Sequence, residues 1–286
     1  MGRLTTRRRV RRAVTDAAAG ATWTDAVDVV AVEEPLEVRI GGVSLTVTMR
    51  TPGHDFELVH GLLYAEGVIA AAADVARMRY CPGAVPDLTA GGKPSTSANS
   101  YNVLDLDLSE GVRLSRRARA LLTSSACGVC GTPAIADLVA AELPDLHDDP
   151  VTLSAASVAA LPERLRASQK VFGLTGGVHA AAWCTPRGHP ELVREDVGRH
   201  NAVDKVIGWA LLQGHLPGRG RVLAVSGRAS YELVQKAIRA GIPVLVAVSA
   251  PSSLAVDLAE AAGLTLVAFT RQGRFTAYTH VHRIVD

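Results

Sequence analysis

The sequence predicts an α/β protein with an additional α+β N-terminal region. Two observations carry this. From about Ser154, apolar runs of strand length alternate with helical segments, and such alternation calls for a largely parallel sheet with both faces covered. Before that point the chain reads as strands around a Gly41-Gly42 turn, one short helix and a further half-buried strand. No apolar run approaches the ~20 residues that a membrane span requires. The longest, such as Ile242 to Ala250, are strand-sized.

Residues 1–25 read as a flexible basic tail. Arg7-Arg8-Arg9-Val10-Arg11-Arg12 is a run of solvated charge, and Met1 to Arg12 lacks the apolar stretch of a secretory leader. Residues 26–150 form the α+β region. Ala26 to Val47 reads as a hairpin, and Asp55 to Glu66 as an amphipathic helix between Thr51-Pro52-Gly53 and Gly67. Pro86 to Asn99, rich in Gly, Pro, Ser and Thr, reads as a loop, and Tyr101 to Leu108 as a strand. Ser115 to Leu122 and Pro133 to Leu143 read as helices.

Residues 151–286 form the α/β part. Ala155 to Ser168 is helical, and Val178 to Thr185 and Glu191 to Val197 are strands around Pro186-Arg187-Gly188. Helices follow at Asn201 to Leu212, Tyr231 to Ala240 and Leu254 to Ala262. Strands are expected at Arg221 to Ser226, Pro243 to Ser249, Leu264 to Phe269 and Phe275 to Thr279.

Composition narrows the function. A net charge of +2 over 286 residues argues against a general nucleic-acid binder. Four cysteines are too few for a disulfide scaffold and suit a reducing cytoplasm. Two of them, Cys127 and Cys130, sit in one loop, each followed by glycine and just before a helix start at Thr132-Pro133. First-turn amides of that helix favour thiolate over thiol, which predicts a reactive dithiol.

Three polar clusters follow strand ends: Arg194 to Lys205, Ser226 to Glu232, and Phe269 to Phe275. Ligands of open α/β sheets bind beyond the carboxyl ends of strands, and cations with free helix-start amides suit phosphates. Arg194, Arg199, Lys205, Arg228, Arg271 and Arg274 are the candidate cations. The helices starting near Arg199 and Ala229 are expected to point at one shared pocket.

The order of Glu33-Glu34-Pro35-Leu36, Thr51-Pro52-Gly53 with Glu66-Gly67, the Cys127 to Gly131 loop, Arg194 to Lys205 and Ser226 to Lys236 resembles the formate dehydrogenase accessory sulfurtransferases (FdhD) from about Val27 onward. That resemblance implies a cytidine-deaminase-like sandwich and a cytoplasmic homodimer. It implies persulfide sulfur taken from a cysteine desulfurase and passed to the bis-molybdopterin guanine dinucleotide molybdenum cofactor, for formate dehydrogenase. By position, Cys127 is the persulfide-bearing residue and Cys130 its partner. The segment Phe269, Thr270, Arg271, Gln272, Gly273 and Arg274 resembles the cofactor-binding loop, with Arg194, Arg199, His200, Asn201, Lys205, Ser226 and Arg228 as further contacts. No resident metal, nucleic acid or membrane is implied.

Rival readings fit less well. A zinc deaminase needs H-x-E and P-C-x-x-C at two helix starts; Ala202 stands where the glutamate belongs, and His189-Pro190-Glu191 lies in a turn. A thioredoxin-like pair should open the first helix of a βαβ unit, not lie mid-chain between two helices. A structural zinc site lacks a second ligand pair, since Cys81 and Cys184 are isolated. A non-catalytic carrier or chaperone of the cofactor remains the alternative.

Overall fold

In a computed structural model, residues 4–16, 20–86, 94–112 and 143–286 are described. The first two strands revise the expectation of a flexible tail. β1 (Thr5–Asp16) and β2 (Gly20–Ala31) pair antiparallel as a ribbon. Thr, Val and Trp favour extended backbone on both strands, and Arg11–Asp25 and Arg12–Asp28 ion pairs bridge them. The arginine run is therefore one side of a ladder, a pairing that composition alone could not show.

β3 (Glu34–Ile40) and β4 (Val43–Arg50) form the hairpin around Gly41 and Gly42, both at positive φ as the tight turn requires. α1 (Asp55–Ala65) follows, then β5 (Val75–Pro86) and β6 (Pro94–Leu108), giving a sheet of order β4-β3-β6-β5. β5 had no counterpart in the sequence reading, and β6 begins inside the expected Pro86 to Asn99 loop. The antiparallel ladder, with Val85 opposite Ser95, overrides the turn-like composition there. α1 buries Leu58, Val59 and Leu63 against Leu36, Val38, Leu104 and Leu106 of this sheet.

The second part starts at β7 (Leu153–Ser154), which pairs with the last strand, and continues with α2 (Ala155–Ser168), capped by the Ser154 hydroxyl, and α3 (Lys170–Thr175). Then come β8 (His179–Cys184), β9 (Pro190–Asp196), α4 (Arg199–Leu212), β10 (Val222–Val225) and α5 (Tyr231–Arg239). β11 (Val244–Ala247), α6 (Ser253–Ala261), β12 (Thr265–Arg271), β13 (Arg274–Ala277) and β14 (Ile284–Val285) complete it. The six-stranded order is β13-β12-β11-β10-β8-β9. Only β10, β11 and β12 run parallel, joined by α5 and α6, whereas β8, β9 and β13 are antiparallel to their neighbours. Short turns at Pro186-Arg187-Gly188 and Gln272-Gly273 can join only antiparallel strands.

Alternate residues serve the two faces. Leu223, Val225, Leu245 and Leu266 meet α4, α5 and α6, while Val222, Ala224, Val244 and Val267 meet α2. The architecture is thus mixed α/β. α1 and α4 join the two parts at a backbone-to-backbone contact: a Cβ on Gly61 would lie 1.9 Å from the Asp204 carbonyl oxygen, and one on Gly208 1.8 Å from that of Glu57. Among the described residues, no helix is long and apolar enough to cross a membrane.

Candidate functional site

The carboxyl ends of β10 and β12, the start of β8 and the first turns of α4 and α5 meet at one end of the six-stranded sheet. His200 in α4 pairs through Nε2 with Glu232 Oε2 of α5 at 2.7 Å and lies 3.4 Å from Ser230 Oγ. Gly227 sits beside His179 and Arg199: a Cβ there would lie 3.4 Å from His179 Nδ1 and 3.6 Å from the Arg199 side chain. The two helix starts therefore share one site, as their strand-end positions predicted. A cavity of about 1230 Å³ opens there and runs beneath α2 and α3, reaching Arg166, Gln169, Phe172, His179, Ser226 and Arg271.

The Phe269 to Arg274 segment has a distinctive backbone. The β12–β13 register shifts between Ala268 and Arg271, and Phe269 and Gln272 both adopt φ 51°, a left-handed conformation that bulky residues rarely take. Phe269 N still donates to Ser249 O at 3.1 Å, so the bulge is anchored. The result leaves Phe269 42% exposed and buries Thr270 completely. Arg228, Arg271 and Arg274 are exposed and form no ion pair among the described residues. Ser226 Oγ accepts from Ala180 N at 2.8 Å, which fixes the turn after β10.

Three residues expected at this site lie elsewhere. Arg194 grips Glu57 with two hydrogen bonds, of 2.5 and 2.7 Å, and so ties β9 to α1. Lys205 is 1% exposed, pairs with Asp196 at 2.7 Å and donates to Thr51 O at 2.9 Å. Asn201 donates to Met49 O and to Asp196 Oδ1. These three fasten the joint between the two parts and are not free to hold phosphates. Helical period separates them: Asn201, Lys205 and Gly208 lie on the α4 face toward α1, while Arg199 and His200 stay at the helix start. The joint also uses the Thr51-Pro52-Gly53 turn, whose Thr51 N donates to Asp196 Oδ2 at 3.1 Å. Arg50 pairs with Asp55 and Glu34 beside it.

Glu57 makes the joint sensitive to acid. Burial pushes its carboxyl up, but hydrogen bonds from Arg194 and His54 outweigh that and bring it from 4.5 down to about 2. A folded-state value below the unfolded one adds stability above the unfolded pKa, and that stability is lost as pH falls through the folded value. Both side chains of the pair are about 15% exposed. The contribution is therefore on the order of 3 kcal/mol, lost between about pH 4.5 and pH 2. Urea titrations across that range should show a steep loss in the wild type and a flatter one in Glu57→Gln. Parallel curves would show that the pair adds no pH-dependent stability.

The site also contains residues that the sequence did not mark. His179 borders the cavity, and burial, with the nearby Arg199 and His200, holds its imidazole below the ordinary value. Arg166 stacks on Phe172 with its guanidinium carbon 4.2 Å from the ring centroid. The Glu195 carboxylate accepts from Val171 N and Phe172 N, which seats α3 against β9. No motif signals these residues; only the packing of α3 brings them to the cavity.

Cys127 and Cys130 lie outside the described residues, as do Ser115 to Leu122 and most of Pro133 to Leu143. Of the other cysteines, Cys184 is buried in the sheet, and burial pushes its thiol up to about 12, which makes it a poor nucleophile. Cys81 is half-buried in β5.

A guanine dinucleotide would need cations for its phosphates and unsatisfied donors for its polar edges. Arg228, Arg271 and Arg274 meet the first need. For the second, Gln169 lines the cavity with its Nε2 buried and without a partner among the described residues; Arg199 Nε, Gln235 Nε2 and Thr270 Oγ1 are likewise unpartnered but do not line it. Buried polar atoms are rarely left unpaired, so the residues present fit such a ligand.

A family model described as the FdhD/NarQ family matches residues 31–285. The chain is 54% identical over 283 residues to the sulfur carrier protein FdhD of Nocardia farcinica, covering 99% of this chain and 96% of that protein. It is 50% identical over 286 residues to the sulfur carrier protein FdhD of Mycobacterium tuberculosis, covering 99% and 100%. A crystal structure from Desulfotalea psychrophila, assigned by name to the formate dehydrogenase accessory proteins, superposes with a TM-score of 0.72 over 99% of this chain and 100% of that one. Its identity is 24%, so it bears on the fold. By the extent of the family match and the identity to these relatives, the chain belongs to the FdhD/NarQ family.

Proposed function

We propose that this chain is a sulfurtransferase, accepting sulfur on Cys127 from a cysteine desulfurase and delivering it to the bis-molybdopterin guanine dinucleotide molybdenum cofactor. That cofactor is its substrate and serves formate dehydrogenase. The observation that carries this is the end of the six-stranded sheet, where a cavity lined by Arg271, Ser226 and Gln169, with Arg228 and Arg274 exposed on the neighbouring turns, occurs in a chain whose relatives are named sulfur carriers. The strand order with β8 antiparallel to β10 supports a cytidine-deaminase-like reading of residues 151–286. The cytoplasmic homodimer implied by the family resemblance belongs to the same proposal.

In the first step the Cys127 thiolate attacks the outer sulfur of the donor persulfide. The donor S–S bond breaks, the donor thiolate leaves, and Cys127 carries the S–SH group with no net oxidation. Cys130 can later attack the inner sulfur of Cys127, releasing hydrosulfide and leaving an internal disulfide, or share the outer sulfur. At the far site, Arg228, Arg271 and Arg274 bind phosphate oxygens, and the Phe269 ring offers an exposed face beside them.

A double replacement separates the two halves of this reading. Arg271→Ala with Arg274→Ala should weaken guanosine diphosphate binding by roughly 1–3 kcal/mol, the scale of charge-assisted hydrogen bonds. Intact-mass analysis after incubation with a desulfurase and cysteine should still show the added sulfur. Unchanged affinity in a calorimetric titration would move the ligand elsewhere, and absence of sulfur loading in the wild type would end the sulfurtransferase reading.

A further inference from the structure

Gln169 occupies the junction of α2 and α3, where its backbone (φ −83°, ψ 84°) breaks the helical path. Its backbone is satisfied: N donates to Arg166 O at 3.2 Å, and O accepts from Gly173 N at 3.0 Å. The side chain is not. It is 6% exposed, it lines the cavity, and its Nε2 has no partner among the described residues. An amide buried in this way destabilises the free protein, and a leucine of similar size would fill the space at less cost.

The surroundings indicate what would satisfy it. On the same wall the Phe172 ring lies under the Arg166 guanidinium, a flat surface suited to a planar heterocycle. The same cavity is also lined by Arg271, Ser226 and His179. One cavity thus offers the Arg271 guanidinium and an aromatic surface beside a carboxamide whose nitrogen is unpaired among the described residues. A carboxamide donates and accepts side by side, which matches a ring edge carrying an adjacent carbonyl and N–H.

We infer that Gln169 is the contact that reads the heterocyclic end of the ligand, while the arginines hold its phosphates. This rests on the ligand site proposed above and adds a recognition residue to it. Guanine and the pterin ring both carry such an edge, so either end of a molybdopterin guanine dinucleotide supplies the chemistry.

The experiment titrates guanosine diphosphate, 6-hydroxymethylpterin and inorganic pyrophosphate into the wild type and Gln169→Leu, with the melting temperature of each protein recorded. The variant should bind at least one of the two heterocycles about tenfold or more weakly and pyrophosphate equally well. Its melting temperature should not fall, because an unpaired buried amide has been removed. Loss confined to guanosine diphosphate assigns the wall to the base, and loss confined to the pterin assigns it to the pterin. Unchanged binding of both heterocycles overturns the inference, as does a parallel loss of pyrophosphate. If Arg271→Ala with Arg274→Ala loses guanosine diphosphate while Gln169→Leu keeps both heterocycles, the ligand site stands and only the role of Gln169 falls. A wild type that binds none of the three overturns both.

Discussion

Cys127→Ala is expected to abolish sulfur loading. After incubation with a cysteine desulfurase and cysteine, intact-mass analysis should show one added sulfur on the wild type and none on the variant. The argument is chemical. Taking sulfur from a persulfide requires a thiolate that can attack and later release the outer atom. Cys184 cannot substitute, since burial in β8 raises its thiol to about 12 and closes off approach. Cys81 is half-buried in the middle of a paired strand. Cys130→Ala should keep loading and lose whatever depends on an internal disulfide. Equal loading of wild type and Cys127→Ala would move the acceptor role to Cys130. A non-catalytic carrier of the cofactor would bind guanosine diphosphate and show no loading in either protein.

Gly208→Ala is expected to destabilise the fold by more than ~3 kcal/mol, beyond the usual cost of overpacking. At most helical positions the same change stabilises by roughly 0.5–1 kcal/mol, because alanine restricts the unfolded chain. Here the added Cβ would lie 1.8 Å from the Glu57 carbonyl oxygen, and that atom is helix backbone that cannot rotate away. α1 and α4 would have to separate, pulling apart the Arg194–Glu57 pair and the Lys205–Asp196 pair beside it. Gly173 in α3 is the matched control, since a Cβ there meets nothing within 4 Å. Urea denaturation of both variants measures the contrast. Similar stabilities would mean that the two helices can move apart at little cost. Because α4 also carries Arg199 and His200, guanosine diphosphate binding should weaken along with stability in Gly208→Ala.

Much of the secondary structure was legible because it rests on short-range rules. Asp55 to Glu66, Ala155 to Ser168 and the elements from Arg221 to Thr279 are found within a few residues of their expected bounds. The strands that were missed share one cause. β1 and β5 are held by cross-strand partners, and β6 extends back to Pro94 for the same reason. The composition of β1 and of Pro94 to Asn99 favoured solvated or turn-like chain, and β5 was not marked at all, so pairing decided them. The run from Arg194 to Lys205 failed in a different way. Its density of charge correctly marked a place of strong polar interaction, but most of that charge is spent inside the protein: Arg194, Asp196, Asp204 and Lys205 form internal ion pairs and Glu195 holds the first amides of α3.

The sequence by itself determined the α/β alternation, the dithiol of Cys127 and Cys130, and the strand-end positions of Ser226 to Arg228 and Phe269 to Arg274, because each depends on neighbours close along the chain. Tertiary structure alone decided which cations remain free. Arg194 and Lys205 are consumed by Glu57 and Asp196 across the α1–α4 joint, while Arg228, Arg271 and Arg274 are exposed with no ion pair among the described residues, Arg271 lining the cavity. It also brought Gln169, Phe172 and His179 to that cavity through the packing of α3 on β9. A charged side chain carries no mark of its partner in the sequence. Whether it binds a ligand or another part of the chain depends on what the fold places within about 3 Å of it.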